Sequence, residues 1–416
     1  MVNNVLSSLS NSKAKDIYGL DTIFLKKYKH YLTPPITKLI NSSLEECTFP
    51  TALKSAIVIP IYKSGDKQAI SNYRPISLLP VFSKAIEKVV AEQLTTHLEN
   101  ESLLHPMQFG FRTNHSTETA CCYFMESIKS SLDTGKVVGA VFLDLRKAFD
   151  TVNHLVLLSK LKQYNVSINT LSWIKSYLAG RSQCVRVSEA VSPLRECTMG
   201  VPQGSILGPL LFSLYINDLP SVCDDVDVQM YADDTVIYTD GKDHEQVATK
   251  LSKAMDKISI WLNDSCLTLN VSKTATMFFS TKPNKKTYPL ITVKGEKIEN
   301  VNEFRYLGII LDSRLSFKKH IKKVCHTIKY NLFTFKSIRN SLTIQGAKTY
   351  FNAMILPHLL YGVSCWSQAN KSTIKPLESL YKQALRILDR KSRQYHHCQI
   401  LTKYKMLNFE CIVRSA

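Results

Sequence analysis

Val226-Asp227-Val228-Gln229-Met230-Tyr231-Ala232-Asp233-Asp234-Thr235-Val236-Ile237-Tyr238 is the stretch on which the fold is decided. Two apolar runs flank Tyr231–Asp234 where the chain should reverse, which predicts two strands with an acidic pair at their tip. Adjacent carboxylates repel each other and resist partial burial unless a cation compensates them. Hard divalent cations with oxygen ligands do this, and Mg²⁺ favours one or two carboxylates plus substrate phosphates. The same residues also suit a solvated turn, since Asp is common in turns. A third carboxylate and a nucleotide-sized pocket would decide for the cation.

The third carboxylate is Asp144, at the end of the β-branched run Val137–Leu143. If that strand pairs beside the acidic hairpin, three carboxylates meet at the rim of one sheet. Such a set suits two-metal phosphoryl transfer, one ion activating a hydroxyl and the other holding a triphosphate. Asp150 lies six residues further on, after the strand has ended, and reads as structural.

Around this centre the pattern alternates. Residues 1–50 read as helices broken at Pro34-Pro35, and Ala56–Tyr62 reads as a strand followed by the polar turn Lys63–Asp66. Phe82–Leu98 and Thr117–Leu132 carry apolar residues at helical spacing, and Leu155–Leu161 and Leu171–Leu178 also look helical. Gln183–Val187 alternates like a strand. After the loop Gly200-Val201-Pro202-Gln203-Gly204, Ser205 is placed to cap a helix whose first turn tolerates Pro209. A long amphipathic helix is expected over His244–Leu262, with further strands at Ala275–Phe279 and Phe304–Leu311. Beyond Asp312 come the basic helices Phe317–Ile338, Ile344–Tyr361 and Ile374–Leu388. The whole predicts an α+β body followed by a helical basic module.

Composition narrows the function. With 416 residues the chain should divide into two or three subdomains, and 44% hydrophobic with 21% charged residues is ordinary for a globular protein. The charge balance is not ordinary, with 53 Lys+Arg against 34 Asp+Glu and a net of +19. From Asp312 to Ala416 there are 19 basic and 4 acidic residues, a net of +15. A surface that basic suits a polyanion, either nucleic acid or an anionic membrane. No apolar run reaches membrane-spanning length and no secretory leader is visible, so the expected location is intracellular, in nucleus or cytoplasm, and not secreted. Eleven scattered cysteines without a CxxC pair suit reduced thiols. His396-His397-Cys398 with Cys411 is a weak metal candidate, and Lys282–Lys286 reads as a solvated loop rather than a nuclear signal.

The ordered motifs resemble those of reverse transcriptases, and among these the non-LTR (LINE-type) retrotransposon group, particularly Jockey-like elements. They are Asn72–Leu78, Gln108–Arg112, Leu143–His154, Gly200–Pro209, Tyr231–Asp234, Leu269–Thr274 and Phe304–Leu311, in the family's order. The resemblance implies a right-hand polymerase with fingers, an antiparallel-sheet palm and a helical thumb. It implies an N-terminal helical extension at 1–43, a polymerase domain at 44–312 and a truncated thumb-like region at 313–416. By the same resemblance Asp144, Asp233 and Asp234 hold two Mg²⁺ ions, with Mn²⁺ a possible substitute. Lys63 and Arg74 meet the incoming triphosphate, and planar Arg suits phosphate oxygens. Gln203 and Gly204 line the nucleotide pocket, Phe149 is the steric gate selecting dNTPs, and Lys273 protonates the pyrophosphate. Phe304, Tyr306, Leu307 and Gly308 form the primer grip. The implied partners are an RNA template, a DNA primer, the RNA–DNA hybrid and dNTPs, with no membrane. Relatives of this type carry an endonuclease ahead of the polymerase, so the chain reads as a fragment or truncated copy. An inactive nucleic-acid-binding remnant and a group II intron-type maturase are the competing readings.

Overall fold

The computed structural model describes residues 1–281 and 288–414. Its strands are β1 (Ser55–Tyr62), β2 (Tyr73–Leu78), β3 (Val137–Leu143), β4 (Arg181–Val187), β5 (Ala190–Val191), β6 (Arg195–Cys197), β7 (Asp227–Tyr231), β8 (Asp234–Gly241), β9 (Ala275–Phe279), β10 (Thr292–Val293), β11 (Glu296–Lys297), β12 (Glu299–Asn300), β13 (Glu303–Tyr306) and β14 (Ile309–Asp312). The chain divides into two compact units, each assembled from three separate stretches.

The first unit comprises Met1–Arg112, Asp144–Asp224 and Asp256–Asn270. Here β1 and β2 form an antiparallel pair, registered from Ile57 opposite Leu78 to Tyr62 opposite Tyr73. On its other edge β1 runs parallel to β4, which also pairs with β5 and β6. The helix Val81–Asn100 buries Ile86, Val89, Val90, Leu94 and Leu98, the spacing that predicted it. Leu207–Ile216 is buried nearly all round, as an apolar helix without a polar face must be.

Two local expectations in this unit are corrected. Pro34 and Pro35 do not break a helix; they lie inside Lys29–Glu45, and the break falls earlier, at Tyr28. A proline deprives the carbonyl four residues back of its donor. Those carbonyls belong to His30 and Tyr31, on an exposed face where solvent replaces the lost bonds. The helix after the Gly200–Gly204 loop starts at Leu207, later than a Ser205 cap would place it, although the Ser205 hydroxyl still accepts from the Gly208 N–H at 2.9 Å.

The second unit comprises Thr113–Leu143, Asp225–Met255 and Val271–Ala416. Its sheet has the order β12-β9-β3-β8-β7, with β3 antiparallel to both β8 and β9. Every residue of β3 is buried. On one face Phe124, from the helix Thr117–Asp133, meets Phe142. On the other Gly139 faces Val247 and Leu251, and a Cβ there would lie 2.5 Å from Val247 Cγ1. Burial on both faces explains why β3 reads as one apolar run rather than an alternation.

Phe304–Leu311, expected as a strand and by its resemblance as a hairpin, is a hairpin, β13 and β14 joined by Leu307-Gly308. Both turn residues have positive φ, +43° and +86°, the twist that a two-residue hairpin requires. The expected helix Ile344–Tyr361 is split into Ile344–Met354 and Leu356–Leu360. Pro357 cannot donate to Ala353, and at the break the Met354 carbonyl accepts from Asn331 Nδ2 at 2.5 Å. The helices Lys318–Ile338 and Lys371–Leu388 lie much where the spacing predicted, and the region also holds Val363–Trp366, His397–Tyr404 and Phe409–Arg414, which it did not predict. Among the described residues no helix is long and apolar enough to cross a membrane.

Candidate active site

In the second unit the acidic turn is as tight as two strands allow. Tyr231 pairs with Asp234, leaving Ala232 and Asp233 as the turn. Ala232 adopts φ +55°, a left-handed setting that disfavours any side chain with a Cβ and is held here by buried strands on either side. Asp233 and Asp234 are both exposed. The register of β3 against β8 ends with Leu143 opposite Thr235. Asp144 is the next residue after Leu143, and Asp234 is the one before Thr235.

The β13–β14 hairpin belongs to the same unit. Phe304 stacks on Phe142 at 4.0 Å, and Tyr306 lies buried against Phe124 at 5.4 Å. Burial pushes the Tyr306 phenol well up, and Cys121 and the negative charge of Asp234 push it the same way. Its hydroxyl accepts from Gln229 Nε2 at 3.3 Å. Gly308 is required where it stands, because a Cβ would come within 2.9 Å of the Tyr361 ring. Tyr361 in turn donates its hydroxyl to the Leu307 carbonyl at 2.7 Å. Lys273 is exposed in the turn before β9.

In the first unit Asp144 is clamped by the segment that the sequence marks as Leu269–Thr274. Asn270 donates Nδ2 to Asp144 Oδ2 at 2.7 Å, and its backbone N–H reaches the Asp144 carbonyl at 2.8 Å. Leu145 bridges Leu269, and the Arg146 N–H reaches the Thr268 carbonyl. The Phe149 ring stacks on Phe212 at 4.5 Å and remains half-buried.

Gln203 donates Nε2 to Asp150 Oδ1 at 2.9 Å. Burial pushes the Asp150 carboxyl up, while the Gln203 amide and Lys147 pull it back down. Gly204, at φ +118°, makes room for protein backbone, since a Cβ there would lie 2.6 Å from the Ser77 carbonyl oxygen. A cavity of about 380 Å³ is lined by Pro75, Ser77, Asp150, Arg181, Gly200 and Gln203 among others. The pairing of Ile61 with Arg74 and the Lys63–Asn72 backbone bond put Lys63 and Arg74 on one face of the β1–β2 hairpin. Pro75 and Ser77, which line the cavity, alternate onto the other face.

Three contributors escaped the reading of the sequence. Asn270 lay inside a quoted motif, but its reach to Asp144 depends on a contact across more than a hundred residues. His154 Nε2 donates to the Gly200 carbonyl at 2.8 Å. Glu87 is fully buried, accepting from Ser83 Oγ at 2.6 Å and from the N–H groups of Ile206 and Leu207 at 2.8 and 3.3 Å. A carboxylate at that helix start complements its unpaired donors and dipole. Its signal was a lone acid on the stripe Ser83, Glu87, Val90, Leu94.

The ligand atoms of His396, His397 and Cys398 lie within 4.8 Å of one another. Desolvation pushes the His397 imidazole down, with Lys382, His396 and Arg386 adding to the effect and Glu378 opposing it. Lys282–Lys286 lies outside the described residues.

Over residues 61–311 the chain matches the family model described as reverse transcriptase (RNA-dependent DNA polymerase). It is 30% identical over 399 residues to the probable RNA-directed DNA polymerase from transposon X-element of Drosophila melanogaster, covering 93% of this chain and 43% of that protein. It is 28% identical to the RNA-directed DNA polymerase from mobile element jockey of the same fly, covering 92% of this chain and 43% of that protein. Among solved structures it is similar to apo telomerase from Candida tropicalis, truncated from the C-terminal domain. That likeness has 12% identity and a TM-score of 0.43, covering 64% of this chain and 55% of the other. The chain spans less than half the length of these two fly relatives.

Proposed function

The chain belongs to the reverse transcriptase family, and on that premise we propose that it is an RNA-directed DNA polymerase of a non-LTR retrotransposon. It extends a primer 3′-hydroxyl on an RNA template with dNTPs. The observation that carries this reading is the tight β7–β8 turn that exposes Asp233 and Asp234, inside the stretch that matches the family. Asp144 follows the last residue of β3, Asp234 opens β8, and Asp233 occupies the turn before it. We take the three carboxylates to act as one centre.

That donor set fits hard divalent ions, since it is all oxygen and anionic. Bound there, two Mg²⁺ or Mn²⁺ ions would acidify the primer hydroxyl and neutralise the triphosphate. The chain's own residues do the rest. Asn270 fixes the rotamer of Asp144, so one carboxylate is aimed before any ion arrives. Lys63 and Arg74 share a hairpin face and engage triphosphate oxygens, Arg in a bidentate manner. Gln203 and Gly204 border the nucleotide, Phe149 excludes a 2′-hydroxyl, and Lys273 delivers a proton to the pyrophosphate. The tight Leu307-Gly308 turn holds the primer end, and Phe304 and Tyr306, packed on Phe142 and Phe124, support the hairpin from behind. In domain terms, residues 44–312 are the fingers and palm, 1–43 an extension and 313–416 a thumb-like module, working inside the cell.

Primer extension on a homopolymer RNA with dNTPs and Mg²⁺ or Mn²⁺ tests the reading. Wild type should extend, and Asp233→Ala should fall by roughly a hundredfold or more, as when a group stabilising transition-state charge is lost. A wild type that extends no primer overturns the activity, and an Asp233→Ala that extends equally well overturns the site.

A further inference from the structure

The segment from Phe149 to His154 runs alongside the Gly200–Gly204 loop and is fastened to it four times. Two fastenings are backbone bonds of 2.8 Å, from the Gly200 N–H to the Val152 carbonyl and from the Val201 N–H to the Phe149 carbonyl. The other two are side chains, Asp150 accepting from Gln203 and His154 donating to the Gly200 carbonyl. A carbonyl can only accept, so His154 carries its proton on Nε2. Contact is close enough that a Cβ on Gly200 would lie 2.7 Å from the Asp150 carbonyl oxygen. Asn153 holds the start of the His154–Leu161 helix, accepting from the N–H groups of Leu155 and Val156.

We propose that Asp150 and His154 are positioning residues, which latch the Gly200–Gly204 loop and set the direction of the Gln203 amide. The inference rests on the polymerase reading above. An ionised carboxylate only accepts hydrogen bonds, so Asp150 forces the Nε2 end of the Gln203 amide toward itself and turns Oε1 the other way. Without that anchor the amide can flip, presenting a donor or an acceptor with little to choose between them. The loop is also tied on its far side, where the Gln203 carbonyl accepts from the Ser77 N–H at 2.7 Å. Gln203 is thus held by its side chain to the segment carrying Phe149 and by its backbone to the strand carrying Arg74. Asp150, which the sequence presents as merely structural, fixes how the amide faces the nucleotide.

A group that orients a binding contact, and touches no reacting atom, acts on nucleotide affinity rather than on the chemical step. Asp150→Ala should therefore raise KM for dNTP about tenfold while kcat stays within about threefold. The amides of Gly200, Val201 and Gln203 should exchange hydrogen faster by a similar factor. His154→Ala should loosen the same amides, and His154→Gln, which keeps an N–H donor, should restore them. Unchanged exchange in Asp150→Ala overturns the latch. Loosened amides with unchanged KM, or a kcat loss at constant KM, overturn the positioning role. A His154→Gln that behaves like His154→Ala overturns the part given to His154. A wild type that extends no primer overturns the polymerase reading instead, and the exchange measurement then decides alone whether the latch exists.

Discussion

Phe149 is a side chain whose packing is visible and whose proposed part in selection can be separated from it. Its ring stacks on Phe212 at 4.5 Å yet stays half-exposed, so one face packs on the core and the other is open. Phe149→Val should admit ribonucleotides, because the smaller side chain opens room where a 2′-hydroxyl would sit. It should also cost about 1–3 kcal/mol of stability through the lost contact with Phe212. Incorporation ratios of dNTP to rNTP, read beside urea midpoints, separate the two effects. Lower stability with unchanged discrimination leaves Phe149 a packing residue only. Asp144, Asp233 and Phe149 could be proposed from the sequence because each sits at a fixed offset within a short local motif. Asn270 and Glu87 could not, since each depends on a partner over a hundred residues away.

Among the elements, the β13–β14 hairpin and the helix that follows share a buried titratable group. His320 lies in the first turn of Lys318–Ile338 and accepts from the Ile310 N–H through Nδ1 at 3.3 Å. Its Nε2 has no hydrogen-bond partner among the described residues. Burial, helped by Lys323 and Arg305, pushes its pKa down to about 4. The folded state thus keeps His320 neutral while the unfolded chain protonates it below about 6.5. Stability from this site is complete above pH 6.5 and is lost as pH falls toward 4. Between pH 7 and pH 5 the loss should be about 2 kcal/mol. His320→Gln should flatten that part of the urea-midpoint profile, and an equal drop in the variant would assign the acid sensitivity elsewhere. An unbroken β-branched run was enough to read β3, and apolar residues at helical spacing were enough to read the helix Val81–Asn100. Breaks were read less well, because a proline's effect depends on its surroundings. Pro34 and Pro35 leave the carbonyls of two exposed residues without a donor and the helix continues, whereas at Pro357 the helix parts and Asn331 Nδ2 bonds the neighbouring Met354 carbonyl.

At the scale of the whole molecule the charge is the quantity to explain. The last quarter holds a net +15, and the helix Lys318–Ile338 gathers part of it on one exposed face. Lys319, Lys322, His326, Lys329, Phe333 and Lys336 follow helical spacing there, all exposed and with no acidic residue between them. Tyr330 and Phe333 stand 71% and 77% exposed on that face, a costly display for two aromatic rings unless something stacks on them. Lysines recognise phosphates through counterion release, giving a log-affinity that falls linearly with log salt by about 0.9 per duplex phosphate contacted. Rings recognise bases by stacking, which carries no such salt term and is worth about 1–3 kcal/mol per base. The two sets of residues therefore predict different signatures in binding to an RNA–DNA hybrid with a single-stranded overhang. Lys322→Ala with Lys329→Ala should weaken binding at every sequence and reduce the salt slope by about 1–2. Tyr330→Ala with Phe333→Ala should weaken binding to the overhang while leaving the slope unchanged. Titrations across a range of salt concentrations read both at once. An unchanged slope in the lysine pair would place the polyanion contact on some other basic face, and equal overhang affinity in the aromatic pair would leave those rings without a base to stack on.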